Sequence, residues 1–219
     1  MLKTDFFDKL LDDWADGLLY PESQIAVFNR IRDLPYAIMP DQTDPLRGPL
    51  NLLKEGRGDC TSKHFLLGIL FERLGISIKY VSVPFLWDQQ EFRYPDNLRE
   101  LAASLPVSYH LACRALIGER WVLVDATWDV PLAAAGFPVN KEWDGLSDTL
   151  LGVIPALAVP PDEDESVSEI VHESADERPE LHRKVRRQYT PEDFARRKEF
   201  DEELNLWLEE IRRGSRREE

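Results

Sequence analysis

Cys60, His110 and Asp125 are the side chains in this sequence whose types and settings fit nucleophilic acyl chemistry. Cys60 follows Gly-Arg-Gly-Asp and opens an apolar run at helical spacing. A thiol there faces the unpaired N–H groups of a helix start, which favour the thiolate, the reactive form. An imidazole is then needed to hold the thiolate and carry protons, and a third group to orient that ring.

The chain has four histidines. His172 and His182 fall in or beside an acidic stretch with no framework to position them. His64 lies one turn beyond Cys60 on the same helix, where side chains point sideways rather than over the terminus. It is a partly exposed helix residue or a neighbour of the site. His110 is different, because it falls in a strand of a well-marked hairpin. "SYHLACRALI" (108–117) and "WVLVDAT" (121–127) flank Gly118-Glu119-Arg120, with glycine at the first position of a tight II′ turn.

Strand parity tests the partnership. If Ile117 meets Arg120, His110 stands opposite Thr127 and Asp125 opposite Ala112. His110 and Asp125 then share one face in a diagonal relation, roughly 7–8 Å apart at the backbone, which a carboxylate spans to hold Nδ1–H. A three-residue loop without a bulge would put them on opposite faces. Tyr109, Leu111, Cys113, Ala115 and Ile117 form the core-facing set, and Ser108, His110, Ala112 and Arg114 the more open one. Asp125 is costly in an apolar strand unless it is paired, and His110 is its natural partner.

The chemistry implied is thiolate attack on an acyl carbon. The Cys60 N–H and a second, unassigned donor stabilise the oxyanion. His110 protonates the leaving amine, and water or another amine releases the thioester. Cys113 reads as a small core residue. Cys60 and His64 at i, i+4 lack further ligands at zinc spacing, so neither a metal nor a cofactor is expected.

Several elements must position this set. Thr4 is placed to cap a first helix bearing Phe6, Leu10, Leu11 and Trp14 on one face, and Pro21 to start a second that ends at Pro35. Pro40–Pro49 reads as loop. Asp59 is the N-cap of the Cys60 helix, and Gly75 its C′ residue. Ile76–Phe85 reads as a strand stopped by Pro84, and the following stretch to about residue 107 as a long excursion. Beyond Asp129 the pattern is loop-rich up to Pro161. From Asp162 to Glu180 nine acidic residues stand against one Arg, a linker-like composition that need not be ordered. A charged helix over about 190–213 carries Phe194, Phe200, Leu204, Leu208 and Ile211, with Pro191 at its first position; it docks on the core or on a partner. The organisation expected is therefore a core over 1–161, an acidic segment over 162–189 and a C-terminal helix over 190–219.

Composition bounds the function. The 219 residues, 43% hydrophobic, suffice for a real core, and a formal charge of −14 repels phosphate backbones, excluding nucleic acid as a natural partner. No apolar run has the length of a membrane span, and the acidic, amphipathic start is not a signal peptide. Two cysteines make no disulfide framework, so a reducing cytoplasm is the default location.

At these residues the chain resembles the transglutaminase-like superfamily, whose core is papain-like. The resemblance lies in "GRGDCTSKHFLLGILFERLGISIKYVSVP", "SYHLACRAL" and "WVLVDATWD", in that order, and spans about residues 22–130. It implies an α+β fold with N-terminal helices on a small antiparallel sheet, and by motif it assigns Cys60, His110 and Asp125 as the triad. That superfamily holds cross-linking transamidases, cysteine peptidases, peptide-deglycosylating enzymes and inactive binding members, so the resemblance names no substrate. Leu111-Ala112 replaces the Ala-Trp that members often carry after the histidine, and nothing marks a calcium site. The expectation is a thiol hydrolase or acyl transferase acting on amide bonds of a peptide or protein, with hydrolysis ahead of transamidation. The competing expectation is a catalytically silent binding module, which Cys60 sealed beneath the 85–107 excursion would favour. Acyl transfer from a thioester cofactor to an amine is a third, weaker reading.

Overall fold

Asp59, as expected, starts the helix that carries Cys60: its carboxylate accepts the Ser62 N–H at 2.9 Å, and helix α4 runs Cys60–Arg73. Gly75, at φ +79°, closes it, with the Ile76 N–H returning to the Phe71 carbonyl at 2.9 Å. The computed structural model describes residues 3–40, 42–156 and 169–215, with side chains from Phe6 onward.

Before α4 come α1 (Lys3–Ala15), α2 (Glu22–Arg32) and α3 (Arg47–Glu55). Lys3 is already helical, so Thr4 lies inside α1 rather than at its cap, and Pro21 is the N-cap of α2 rather than its first residue. The proline-rich stretch is not loop throughout. Pro49 sits in the first turn of α3, where a missing N–H costs nothing because that donor has no intrahelical acceptor.

Strands β1 (Ile78–Phe85), β2 (Ser108–Ile117), β3 (Arg120–Val124) and β4 (Ile170–His172) form one antiparallel sheet in the order β3-β2-β1-β4. The architecture is thus α+β, helices on a small antiparallel sheet. Ile117 pairs with Arg120 and Cys113 with Val124, the register inferred from the hairpin. Gly118 takes φ +63° in the turn. Pro84 does not stop β1; it pairs with Tyr109. The β4 ladder reaches only Ser82, so Pro84 owes no N–H to a neighbour on its free side. β3 ends at Val124, three residues short of the expected Thr127, and Asp125 opens the segment that follows.

Two apolar clusters result. The first lies between α4 and the sheet, where Phe28, Phe65, Leu66, Leu70, Leu111, Cys113 and Val124 are buried. The second gathers Phe85, Trp87, Phe92, Trp128 and Phe137 against Phe200, Leu204 and Leu208 of the C-terminal helix α7 (Pro191–Ser215). The long excursion holds helix α5 (Asp96–Ala103), packed on α7. α7 therefore docks on the core. Thr190 and Asp193 cap it reciprocally, and Arg212 near its end clasps buried Asp129 through two contacts of 2.7 Å. The described part of the acidic stretch is structured, with β4 followed by α6 (Glu177–Arg186), while residues 157–168 lie outside the described residues. Among the described residues no helix is long and apolar enough to cross a membrane.

Candidate active site

Cys60 is the side chain that packs against both apolar clusters, at the seam between them. It is half-buried and lines a cleft of about 570 Å³ with Asp59, Tyr36, Ser108 and His110. Cys60 is not sealed under the excursion.

His110 and Asp125 meet. His110 Nε2 donates to Asp125 Oδ2 at 2.7 Å, and both side chains are almost fully buried. The hairpin register predicts the carboxylate on Nδ1; the bond is made by Nε2. This leaves Nδ1 as the ring nitrogen free of the carboxylate, in a cleft that Cys60 also lines. Burial would lower the His110 pKa, but the charges of Asp125 and then Cys60, with the Asp125 hydrogen bond, reverse this and raise it to about 10.

Asp125 stays ionised despite its burial. Burial raises its pKa, and the His110 charge and hydrogen bond, with help from Thr127, pull it well below the usual carboxylate value. Its oxygens also accept the Gly152 N–H at 2.7 Å and the Thr127 N–H at 3.1 Å. Gly152 is needed at that contact, since a Cβ there would lie 3.0 Å from Asp125 Oδ2.

His64 is fully buried rather than partly exposed. Its Nε2 accepts the Ala126 N–H at 3.1 Å, so Nδ1 carries the proton and donates to the Cys60 carbonyl at 2.8 Å. Burial first, with the charge of His110 contributing, lowers its pKa to about 4, and the neutral ring acts as a clamp between α4 and the Asp125 segment. Cys113 lies in the core with its thiol against the His64 carbonyl at 3.5 Å, and burial raises its pKa.

Three contributors were not found from the sequence. Tyr36 is buried, bridges to Gly58, and lines the cleft. Burial first, then the charge of Cys60, raises its pKa well above the ordinary value, so its phenol remains an O–H donor. Gln42, also buried in the lining, has an unbonded Oε1 that would lie 2.8 Å from a Cβ at Gly58. The third is α6, which supplies Arg178, His182 and Arg186 to the cleft wall. No local signal marked these residues, which come from segments with no helical or strand period around them or from an acidic run. Among the described residues no cluster of three or more His, Cys, Asp or Glu side chains is arranged to hold a metal ion.

No family model matches this chain, and no curated protein matches it. Among solved structures it is similar to one described as "a Putative Cysteine Protease from Cytophaga hutchinsonii", at 18% identity and a TM-score of 0.42, over 78% of this chain and 47% of that one. The chain thus spans about half the length of that protein.

Proposed function

We propose that this protein is a transglutaminase-like, cysteine-dependent amide hydrolase or acyl transferase that works through a thioester on Cys60. The observation that carries the reading is one cleft holding a thiol at a helix start and a histidine whose far nitrogen is bonded to a buried carboxylate at 2.7 Å. The order of the parts also supports it: thiol helix, histidine strand, then carboxylate just past the next antiparallel strand.

In the reaction, Cys60 Sγ attacks the amide carbon and the carbonyl π pair moves to oxygen. The Cys60 N–H and the Tyr36 phenol stabilise that oxyanion. Collapse breaks the C–N bond while His110 gives its Nδ1 proton to the leaving amine. A water then loses its proton to His110, attacks the thioester and frees the acid and the thiolate. An amine in place of that water gives transamidation; water is the default acceptor. The substrate is a peptide or protein amide, no cofactor is used, and the cytoplasm suits a free thiol of this kind.

Treatment with p-nitrophenyl acetate followed by acid quench and peptide mass mapping tests the reading. Acetylation of Cys60 that His110→Ala abolishes is the expected result. Cys60 left unmodified, or modified equally in both proteins, overturns it and leaves the cleft as a binding groove.

A further inference from the structure

Arg178 is the one basic residue in the acidic run from Asp162 to Glu180. Helix α6 lays it into the wall of the cleft that Cys60 also lines, with 4% of its surface exposed. Nη2 donates to the Tyr109 carbonyl at 2.6 Å, while the buried Nε has no partner. None of the ion pairs among the described residues includes it. The charges it feels most strongly are Cys60 and then Asp59. The Asp59 carboxylate is already engaged, accepting the Ser62 N–H as the cap of α4.

Of the other cations of this wall, Arg197 pairs with Asp201 at 2.7 Å and donates to Ser108, Lys198 faces Glu202 at 3.7 Å, and Arg186 lies over the Phe194 ring, 4.9 Å from its centroid. A guanidinium taken out of water with a donor unused is costly unless a ligand completes it. Its planar fork matches a carboxylate better than any other common anion-binding side chain does.

We propose that Arg178 binds a free carboxylate of the substrate next to the bond that Cys60 attacks. The substrates are then N-acyl amino acids or short peptides whose carboxylate lies close to the scissile amide, rather than internal bonds of a long chain. This rests on the thioester reading above. Arg178 is a specificity-determining residue; the bond-making groups remain Cys60 and His110.

Paired alkylation of Cys60 by iodoacetate and iodoacetamide tests it, since the reagents differ in a single carboxylate. In roughly 0.15 M salt, which screens the distant negative charges of the molecule, the iodoacetate-to-iodoacetamide rate ratio should exceed that of the urea-unfolded chain. The expected excess is about tenfold or more, the scale of one charge pair at a partly wet site. Arg178→Gln should lower the ratio by about that factor, leaving only the excess that the charged His110 ring supplies, and a ratio unchanged in a folded variant overturns the proposal. N-acetylglycine, but not N-acetylglycinamide, should protect Cys60 from iodoacetamide in the unmodified protein, a readout that stands if the variant fails to fold. A folded ratio no higher than the unfolded one, with no protection, overturns the proposal. If iodoacetamide still needs His110 in that case, the thioester reading survives and only the role of Arg178 falls. An iodoacetamide rate indifferent to His110→Ala sinks both.

Discussion

At the scale of single residues, two buried imidazoles a ring apart are held in opposite states by their partners. His64 and His110 sit edge to face with centroids 5.9 Å apart. A backbone N–H points at Nε2 of the first, which must stay neutral; a carboxylate faces Nε2 of the second, which prefers the charge. Replacing Asp125 with Asn removes the main cause of the raised His110 pKa. Cys60 acylation should then fall by about two to four orders of magnitude, as for other orienting carboxylates. Stopped-flow acylation kinetics check this. Stability carries the same signature. A His110 pKa raised from 6.5 to about 10 contributes stability that is complete below about pH 6.5 and lost as pH rises through 10. The lowered Asp125 pKa contributes above about pH 4 and is lost in acid. Urea unfolding of the native chain and His110→Gln should therefore differ most between about pH 4 and 6.5 and converge toward pH 10.

At the scale of elements, Lys63 ties the site's supports together. It is fully buried on α4, and its ammonium donates to the carbonyls of Arg32 at 3.0 Å, Leu34 at 2.8 Å and Thr127 at 2.6 Å. These are the exit of α2 and the segment following Asp125. Burial chiefly lowers its pKa, to about 7, with Asp129 opposing. Lys63→Met strands three carbonyls and should cost about 3 kcal/mol in denaturant unfolding. Asp59→Ala removes the α4 cap and should cost about 1 kcal/mol.

The elements that position the thiol and the imidazole were legible because their signals are local. An aspartate cap, a closing glycine and an apolar stripe mark α4, and a glycine turn between two largely apolar runs fixes the hairpin register. What the sequence missed was nonlocal. The carboxylate meets Nε2 rather than the expected Nδ1, because strand pairing stops at Val124 and Asp125 lies in the segment beyond it. Lys63 is a plain lysine until α2 and Thr127 converge on it. The acidic run from Asp162 to Glu180 concealed a strand and the start of a helix because β1 offers an edge and the cleft offers a place for Arg178. Pro49 concealed α3 because a proline in a first turn looks like a loop signal.

At the scale of the whole molecule, the described C-terminal segment, residues 169–215, is part of the fold. α7 buries Phe200, Leu204 and Leu208 completely against Trp87 and its neighbours, and Arg212 locks Asp129, which also accepts the Tyr36 N–H at 2.9 Å. The cleft thus has one wall from the sheet and α4 and another from α6 and α7. Phe200→Ala should cost about 3–5 kcal/mol, as for a large core aromatic, with one cooperative transition for both clusters. Calorimetry checks this, and an unchanged midpoint would mean that α7 rests on the surface.

The central claim is that the protein keeps a charged imidazole beside the Cys60 sulfur at neutral pH. Nitrogen-15 NMR of the His110 ring at about pH 8 reads it directly. The expected spectrum shows protons on both ring nitrogens, with one lost in Asp125→Asn. A neutral His110 ring in the native protein at that pH would contradict the account.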